Sequence, residues 1–142
     1  MWNMLWPAVL IVLSNTVYNI TAKSTPENVN PFLSLTVTYL VAAGLTLILF
    51  FVIPKEGGSL PAELGKLNWT SFVLGLVIVG LEAGYIYLYR AGWPVNIASL
   101  VVNICLACIL VVVGYFCYQE TLTIKQILGI LLCCGGLFLI NA

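Results

Sequence analysis

The chain has 142 residues, of which 62% are hydrophobic and 7% are charged, with five basic residues against five acidic ones. A soluble domain carries about 25% charged residues, so this composition excludes a water-soluble globular protein and predicts an integral membrane protein. The balanced charge offers no basic surface for nucleic acid, and no nucleic-acid partner is expected.

Five hydrophobic segments follow along the chain, each close to the roughly 20 residues that cross a bilayer as a helix. Turn-forming residues, mainly proline, glycine and asparagine, separate them. The segments cover residues 2–22, 31–53, 69–89, 94–118 and 123–140. The sequence therefore predicts an all-α integral membrane protein with five transmembrane helices in one domain, residues 1–142. No cleavable signal peptide is visible, so the first segment is expected to be retained.

The first segment carries an uncharged polar stripe. Asn15, Tyr18 and Asn19 recur at the spacing of one helix face. Amide and phenol groups in lipid need hydrogen-bond partners, so the stripe indicates either contacts between helices or the wall of a hydrated cavity. The second segment offers Ser34 and Thr38, whose hydroxyls are expected to bond to their own helix backbone.

The longest connection, residues 54–68, mixes apolar and charged residues. Leu60 and Leu64 stand among Glu63 and Lys66. A short interfacial helix and a solvated loop fit this pattern equally well.

The third segment contains the most informative residue of the chain, Glu82, the one acid near the middle of an uncharged hydrophobic run. A carboxylate at that depth costs about 2.5–3.5 kcal/mol on insertion scales, so it predicts a polar cavity or a neutralising proton. Glu82 shares a helix face with Tyr85, and aromatic rings beside a carboxylate suit an organic cation. The alternative is a structural ion pair of Glu82 with Lys23 or Arg90.

Three further features of this segment bear on function. Removal from water favours the protonated form of a carboxylic acid, so a proton and a cation would compete for Glu82. Gly80 and Gly84 form a G-x-x-x-G on the opposite face, where small residues let another helix approach. Tyr89, near the end of the segment, fits an interfacial aromatic belt.

The fourth segment repeats the polar pattern, with Asn96, Ser99 and Asn103 in one stripe. With the stripes of the first and third segments, it suggests one shared hydrated cavity. Cys105 and Cys108 form a C-x-x-C inside this segment, but no histidine or second pair completes the ligand set of a zinc or redox site. No metal, cofactor or catalytic residue is expected, and the chain is not expected to be an enzyme.

The fifth segment carries a recognisable sequence. Residues 119–130 read Gln-Glu-Thr-Leu-Thr-Ile-Lys-Gln-Ile-Leu-Gly-Ile, and Gly135 and Gly136 follow. This stretch resembles the closing segment of EamA-type repeats of the drug/metabolite transporter superfamily, and the five-segment layout resembles one such repeat. The resemblance implies transport of metabolites or drugs by a ten-helix unit, of which this chain would supply one half.

The resemblance also implies roles for single residues. Glu120, Gln126 and Gly129 would belong to a turn and to helix packing, and the small residue Gly136 also suits helix packing. The chain departs from the family pattern at three places, where the family usually has Trp-Gly, Arg and Pro. These places read Ser14–Asn15, Val37–Tyr39 and Asn103–Cys105.

The distribution of charge and the single repeat bear on assembly. Lys55, Lys66 and Lys125 fall on one side of the membrane and Lys23 and Arg90 on the other, a small bias under the positive-inside rule. This small bias favours insertion in both orientations, although the loop lysines alone could fix one. Because no second repeat is present, a copy in an antiparallel homodimer, or a sister chain in a heterodimer, is expected to complete the unit.

The sequence thus predicts a multi-pass transporter of the cell membrane, the inner membrane of a prokaryote, that exports a small organic, cationic or amphipathic solute in exchange for protons. Glu82 would couple the two fluxes. The predicted substrate path comprises Asn15, Tyr18, Asn19, Tyr85, Asn96, Ser99 and Asn103. Two alternatives stay open: an uncoupled carrier of neutral metabolites or lipid headgroups, and a non-transporting subunit of a larger membrane complex.

Overall fold

The computed structural model describes residues 2–53, 60–119, 121 and 123–141. All regular secondary structure in these residues is helical, which confirms the all-α prediction. The helices are α1 (Trp2–Lys23), α2 (Pro31–Val52), α3 (Leu60–Leu64), α4 (Trp69–Arg90), α5 (Val95–Tyr118) and α6 (Ile124–Asn141). The five long helices coincide closely with the five hydrophobic segments. Lys55 and Glu120, named in the sequence analysis, lie outside the described residues.

Four helices in the described part of the chain are long and apolar enough to cross a membrane. These are Leu5–Lys23, Pro31–Val52, Trp69–Arg90 and Val95–Tyr118. A helix of 22 residues, such as α4, is about 33 Å long and matches the hydrocarbon thickness of about 30 Å. Most of their large apolar side chains are exposed in the protomer, as expected for helices that face lipid or another chain.

Asparagine side chains begin two of the long helices. The Asn30 side chain accepts a hydrogen bond from the backbone N–H of Phe32 at 2.9 Å, and Pro31 follows as the first helical residue. The Asn68 side chain accepts from the backbone N–H of Thr70 at 3.1 Å. Such caps satisfy backbone donors that lack a partner inside the helix, so these polar turns fix where α2 and α4 start.

The described part of the turn between α5 and α6 contains two hydrogen-bonding side chains and one backbone position with positive φ. Gln119 ends α5 in the left-handed conformation, with φ of 54°, a common way for a helix to stop. The backbone N–H of Thr123 donates to Gln126 Oε1 at 2.8 Å, and the N–H of Gln126 donates back to Thr123 Oγ1 at 3.4 Å. This reciprocal capping box gives Gln126 a role in the turn.

The connection between α2 and α4 contains the short helix α3, so the helical alternative applies to residues 60–64. Lys66 Nζ forms an ion pair with Glu63 Oε1 at 2.7 Å just after it. Exposed ion pairs of this kind contribute about 0–1 kcal/mol.

The helices form two compact units, Met1–Ala91 and Gly92–Ala142. In the N-terminal unit α4 packs against both α1 and α2, and in the C-terminal unit α5 packs against α6. The small core of the N-terminal unit combines Leu35 of α2 with Ala83 and Ile86 of α4. Glu82 directly precedes this pair, so the packing of α4 brings the carboxylate to the junction of three helices.

Candidate functional site

Glu82 lines a cavity of about 130 Å³ inside the N-terminal unit. The wall comes from the last part of α1, the turn after it, the first part of α2 and α4. The lining residues are Tyr18, Thr21, Ala22, Thr25, Ser34, Leu35, Thr38, Glu82 and Ile86. Glu82 stands eight residues before the end of α4 at Arg90, roughly 12 Å along the helix axis. The cavity therefore extends from the α1–α2 turn to the depth of the carboxylate.

The two basic residues nearest in sequence to this site bind backbone carbonyls. Arg90 Nη2 donates to the carbonyl oxygens of Pro26 at 2.8 Å and Val29 at 2.7 Å, which anchors the α1–α2 turn. Lys23 Nζ donates to the carbonyl oxygen of Tyr89 at 3.2 Å and lies 5.8 Å from the centroid of that ring. A cation at the C-terminal end of α4 is also favoured by the helix dipole.

The Glu82 carboxylate has tyrosine phenol groups as neighbours. Among the described residues, Glu82 forms no ion pair. The expected alternative, a structural ion pair with Lys23 or Arg90, therefore does not form there. Glu82 interacts electrostatically with Tyr18 of α1 and Tyr39 of α2. Both hydroxyls are buried, and neither has a hydrogen-bond partner of standard geometry among the described residues, although the Tyr39 hydroxyl is close enough to the carboxylate to interact with it. An unsatisfied buried hydroxyl costs about 1–3 kcal/mol, and for Tyr18, which lines the cavity, water or a solute there would offset this cost.

Tyr85 packs against Tyr18, a lining residue of the cavity. Its ring packs edge-on against the Tyr18 ring, with centroids 5.5 Å apart and planes at 85°. Its centroid is 6.0 Å from that of Tyr89. Of the predicted path residues, Tyr18 lines the cavity together with Glu82, whereas Tyr85 positions Tyr18.

A second polar cluster joins α1 to α4. Asn19 is 5% exposed, and its Nδ2 donates to the backbone oxygen and Oδ1 of Asn15 at 2.7 and 2.9 Å. The Tyr89 hydroxyl donates to Asn19 Oδ1. Tyr89 is 3% exposed, so the prediction that it lies in an interfacial belt is wrong: its hydroxyl is used inside the protomer. Neither Asn15 nor Asn19 is a lining residue of the Glu82 cavity.

Loss of the Tyr89 hydroxyl is expected to weaken this α1–α4 contact. Tyr89→Phe should lower the free energy of unfolding by about 1 kcal/mol, because Asn19 Oδ1 loses a buried donor. Tyr87→Phe is the matched control, since this ring is 50% exposed on the same helix. Equilibrium unfolding in mixed micelles compares them, and equal destabilisation would contradict the role of the Tyr89 bond.

The C-terminal unit has a cavity of its own, about 830 Å³, with lining residues from α5, from α6 and from Thr121 between them. Asn103, Gln126 and Gly129 belong to its mainly apolar wall. Asn103 Nδ2 donates to the backbone oxygen and Oγ of Ser99 at 2.7 and 3.2 Å. Asn96 is exposed in the first turn of α5. The stripe predicted on the fourth segment thus contributes Asn103 to this second cavity.

The glycines expected to pack helices have open space beside them. A methyl group built on Gly80 or Gly84 of α4 would meet no atom within 4 Å, and the same holds for Gly129 and Gly136 of α6 in the described part of the chain. These glycines are therefore not needed for close contacts there, and helix packing by them stays a prediction about another chain.

Sequence reasoning missed the hydroxyl wall of the Glu82 cavity. Thr21 lies in the last turn of α1 and Thr25 in the connection after it, whereas Ser34 and Thr38 lie on α2. All four line the cavity. The two pairs each have the i, i+4 spacing of one helix face, and this spacing was the available signal. For Ser34 and Thr38 the sequence predicts only bonds to their own helix backbone.

Comparison with known proteins places the chain by sequence. The EamA-like transporter family matches residues 2–142. No curated protein and no solved structure matches the chain. The matched range includes all six helices and both cavities.

Proposed function

The chain belongs to the EamA-like transporter family, and on that premise we propose that it exports a small organic cation in exchange for protons. Membership makes it a multi-pass membrane transporter of the drug/metabolite kind. Two points go beyond family membership: that the solute is a cation and that its export is coupled to protons. Both are argued from the surroundings of Glu82. We place the protein in the inner membrane of a prokaryotic cell.

One observation carries the proposal: a carboxylate lines a cavity between three membrane helices with no ion pair in the described part of the chain. An ionised carboxylate away from water needs a counter-charge, and a protonated one does not. Lys23 and Arg90 bind backbone carbonyls. A proton or a cationic solute can therefore neutralise Glu82, and each excludes the other.

Competition at one carboxylate is sufficient for exchange. A cation entering the cavity displaces the proton, and a proton arriving from the opposite side of the membrane displaces the cation. The two fluxes are coupled if the site opens to one side at a time, as in alternating access. Tyr18 and Tyr39, whose buried hydroxyls adjoin the carboxylate, would hydrogen-bond to whichever form is present.

The assembly that we propose is a ten-helix unit made from two five-helix chains. In this arrangement α6, with 18 residues, serves as the fifth span. Transporters commonly place their site between two repeats of opposite orientation, and a second copy in an antiparallel dimer, or a sister chain, would supply the other repeat. The open face of α4 at Gly80 and Gly84 supports a helix contact of this kind.

A panel of solutes tested on purified protein in liposomes checks the proposal. With an imposed pH gradient, organic cations should move against their own gradient, and protons should move in the opposite direction. Cation flux that ignores the pH gradient, or flux of neutral solutes alone, would indicate the uncoupled carrier. Absence of all flux together with co-purification of a larger membrane complex would indicate the non-transporting subunit.

A further inference from the structure

We propose that the Glu82 cavity selects a protonated primary ammonium group over a quaternary ammonium group. The inference rests on the cation-binding part of the proposed function and names the chemistry of the head that binds. Glu82 supplies the charge, and the hydroxyl wall supplies acceptors for the N–H groups.

Three of the four hydroxyls of the wall have already donated their hydrogens. Thr21 Oγ1 donates to the carbonyl oxygens of Val17 and Tyr18, both at 3.0 Å. Thr25 Oγ1 donates to the carbonyl oxygen of Thr21 at 3.3 Å, and Thr38 Oγ1 to that of Ser34 at 3.1 Å. A hydroxyl has one hydrogen and two lone pairs. These three oxygens can therefore offer only lone pairs to the cavity, and such a wall complements a group that carries donors.

The cavity is too small for a whole drug-sized molecule. Its volume of about 130 Å³ corresponds to roughly four water molecules at about 30 Å³ each, whereas pockets for drug-sized ligands measure about 300–1,000 Å³. The cavity thus accommodates the head of a solute, and the remainder of the solute lies outside it.

Two other kinds of cation fit this wall less well. A quaternary ammonium group has no N–H donor and is typically bound by a cage of aromatic rings, but Tyr18 is the one aromatic residue among the described lining residues. A divalent metal ion prefers several carboxylates, and Glu82 is the one carboxylate there. The primary ammonium group matches both the single charge and the acceptors.

Two ligands that differ only in the head test the inference by equilibrium binding to purified protein in nanodiscs. Butylammonium should bind about tenfold tighter than butyltrimethylammonium, because the primary head makes at least one charge-assisted hydrogen bond that the quaternary head lacks. Glu82→Gln should weaken the binding of both ligands. Equal affinities, tighter binding of the quaternary ligand, or displacement of butylammonium by equimolar sodium would overturn the inference.

Threonine variants locate the selectivity. The double variant Thr21→Val, Thr38→Val removes two cavity oxygens while keeping side-chain shape, and it should bring the two affinities close to equal. The matched control is Thr16→Val, Thr36→Val, because these exposed hydroxyls also donate to carbonyls of their own helices but do not line the cavity. The control should keep the tenfold preference, and the unfolding midpoint reports whether each variant is folded.

Binding and transport can fail separately. A preference for butylammonium without any proton-coupled flux would remove the proposed exchange and leave the inference intact. Coupled flux of organic cations without that preference would remove the inference alone. A folded double threonine variant that retained the full preference would also overturn it.

Discussion

Replacing Glu82 with glutamine is expected to abolish proton-driven cation flux. Glutamine has nearly the same shape but neither ionises nor exchanges a proton, so the cavity keeps its wall and loses its charge. Loss of a charged hydrogen-bonding partner corresponds to about ten- to a hundredfold weaker cation binding. Uptake into liposomes with an imposed pH gradient measures the flux, and a parallel pH indicator measures the counter-movement of protons.

Two further variants serve as comparisons for Glu82→Gln. Glu82→Asp keeps the ionisable group on a shorter side chain and should retain part of the coupled flux. Glu63→Gln removes an acid that pairs with Lys66 and does not line the Glu82 cavity, so it should leave the flux unchanged. Full gradient-driven uptake by Glu82→Gln would refute the coupling role of the carboxylate.

Bulky substitutions on the glycine face of α4 are expected to dissociate the proposed dimer. Gly80→Leu combined with Gly84→Leu meets no atom of the protomer's described residues within 4 Å of the new Cβ, so the protomer should fold. Overpacking of a close helix contact costs about 1–3 kcal/mol, which raises the dimer dissociation constant by roughly 5- to 150-fold. Energy transfer between labelled copies in detergent measures this constant.

The control for this experiment lies on another helix. Gly44→Leu in α2 also places a side chain into open space but has no second glycine four residues away. It should leave the dissociation constant unchanged. A glycine-pair variant that dimerised as tightly as the unaltered protein, or an equal effect of Gly44→Leu, would show that the partner does not bind this face.

The helices could be predicted from the sequence because each follows from local chemistry. Long apolar runs predict helices in a membrane, and the polar turns between them supply caps such as Asn30 and Asn68. Pairing of the helices could not be predicted in this way. The packing of α4 on both α1 and α2 depends on contacts between residues far apart in sequence, such as Leu35 with Ile86.

The same distinction holds for the site. Glu82 and Tyr18 could be predicted because a carboxylate or a polar stripe in an apolar run is conspicuous in one helix alone. The roles of Thr21 and Thr38 depend on two helices facing the same cavity, which the sequence of either helix does not reveal. Tyr89 was misplaced for a related reason: its partner, Asn19, lies on another helix.

The most direct test of proton–cation exchange is the release of protons when a cation binds. Purified protein in weakly buffered detergent solution should release protons on addition of butylammonium, and Glu82→Gln should release none. Binding without proton release at any pH, or equal release from Glu82→Gln, would contradict the exchange of proton and solute at this carboxylate.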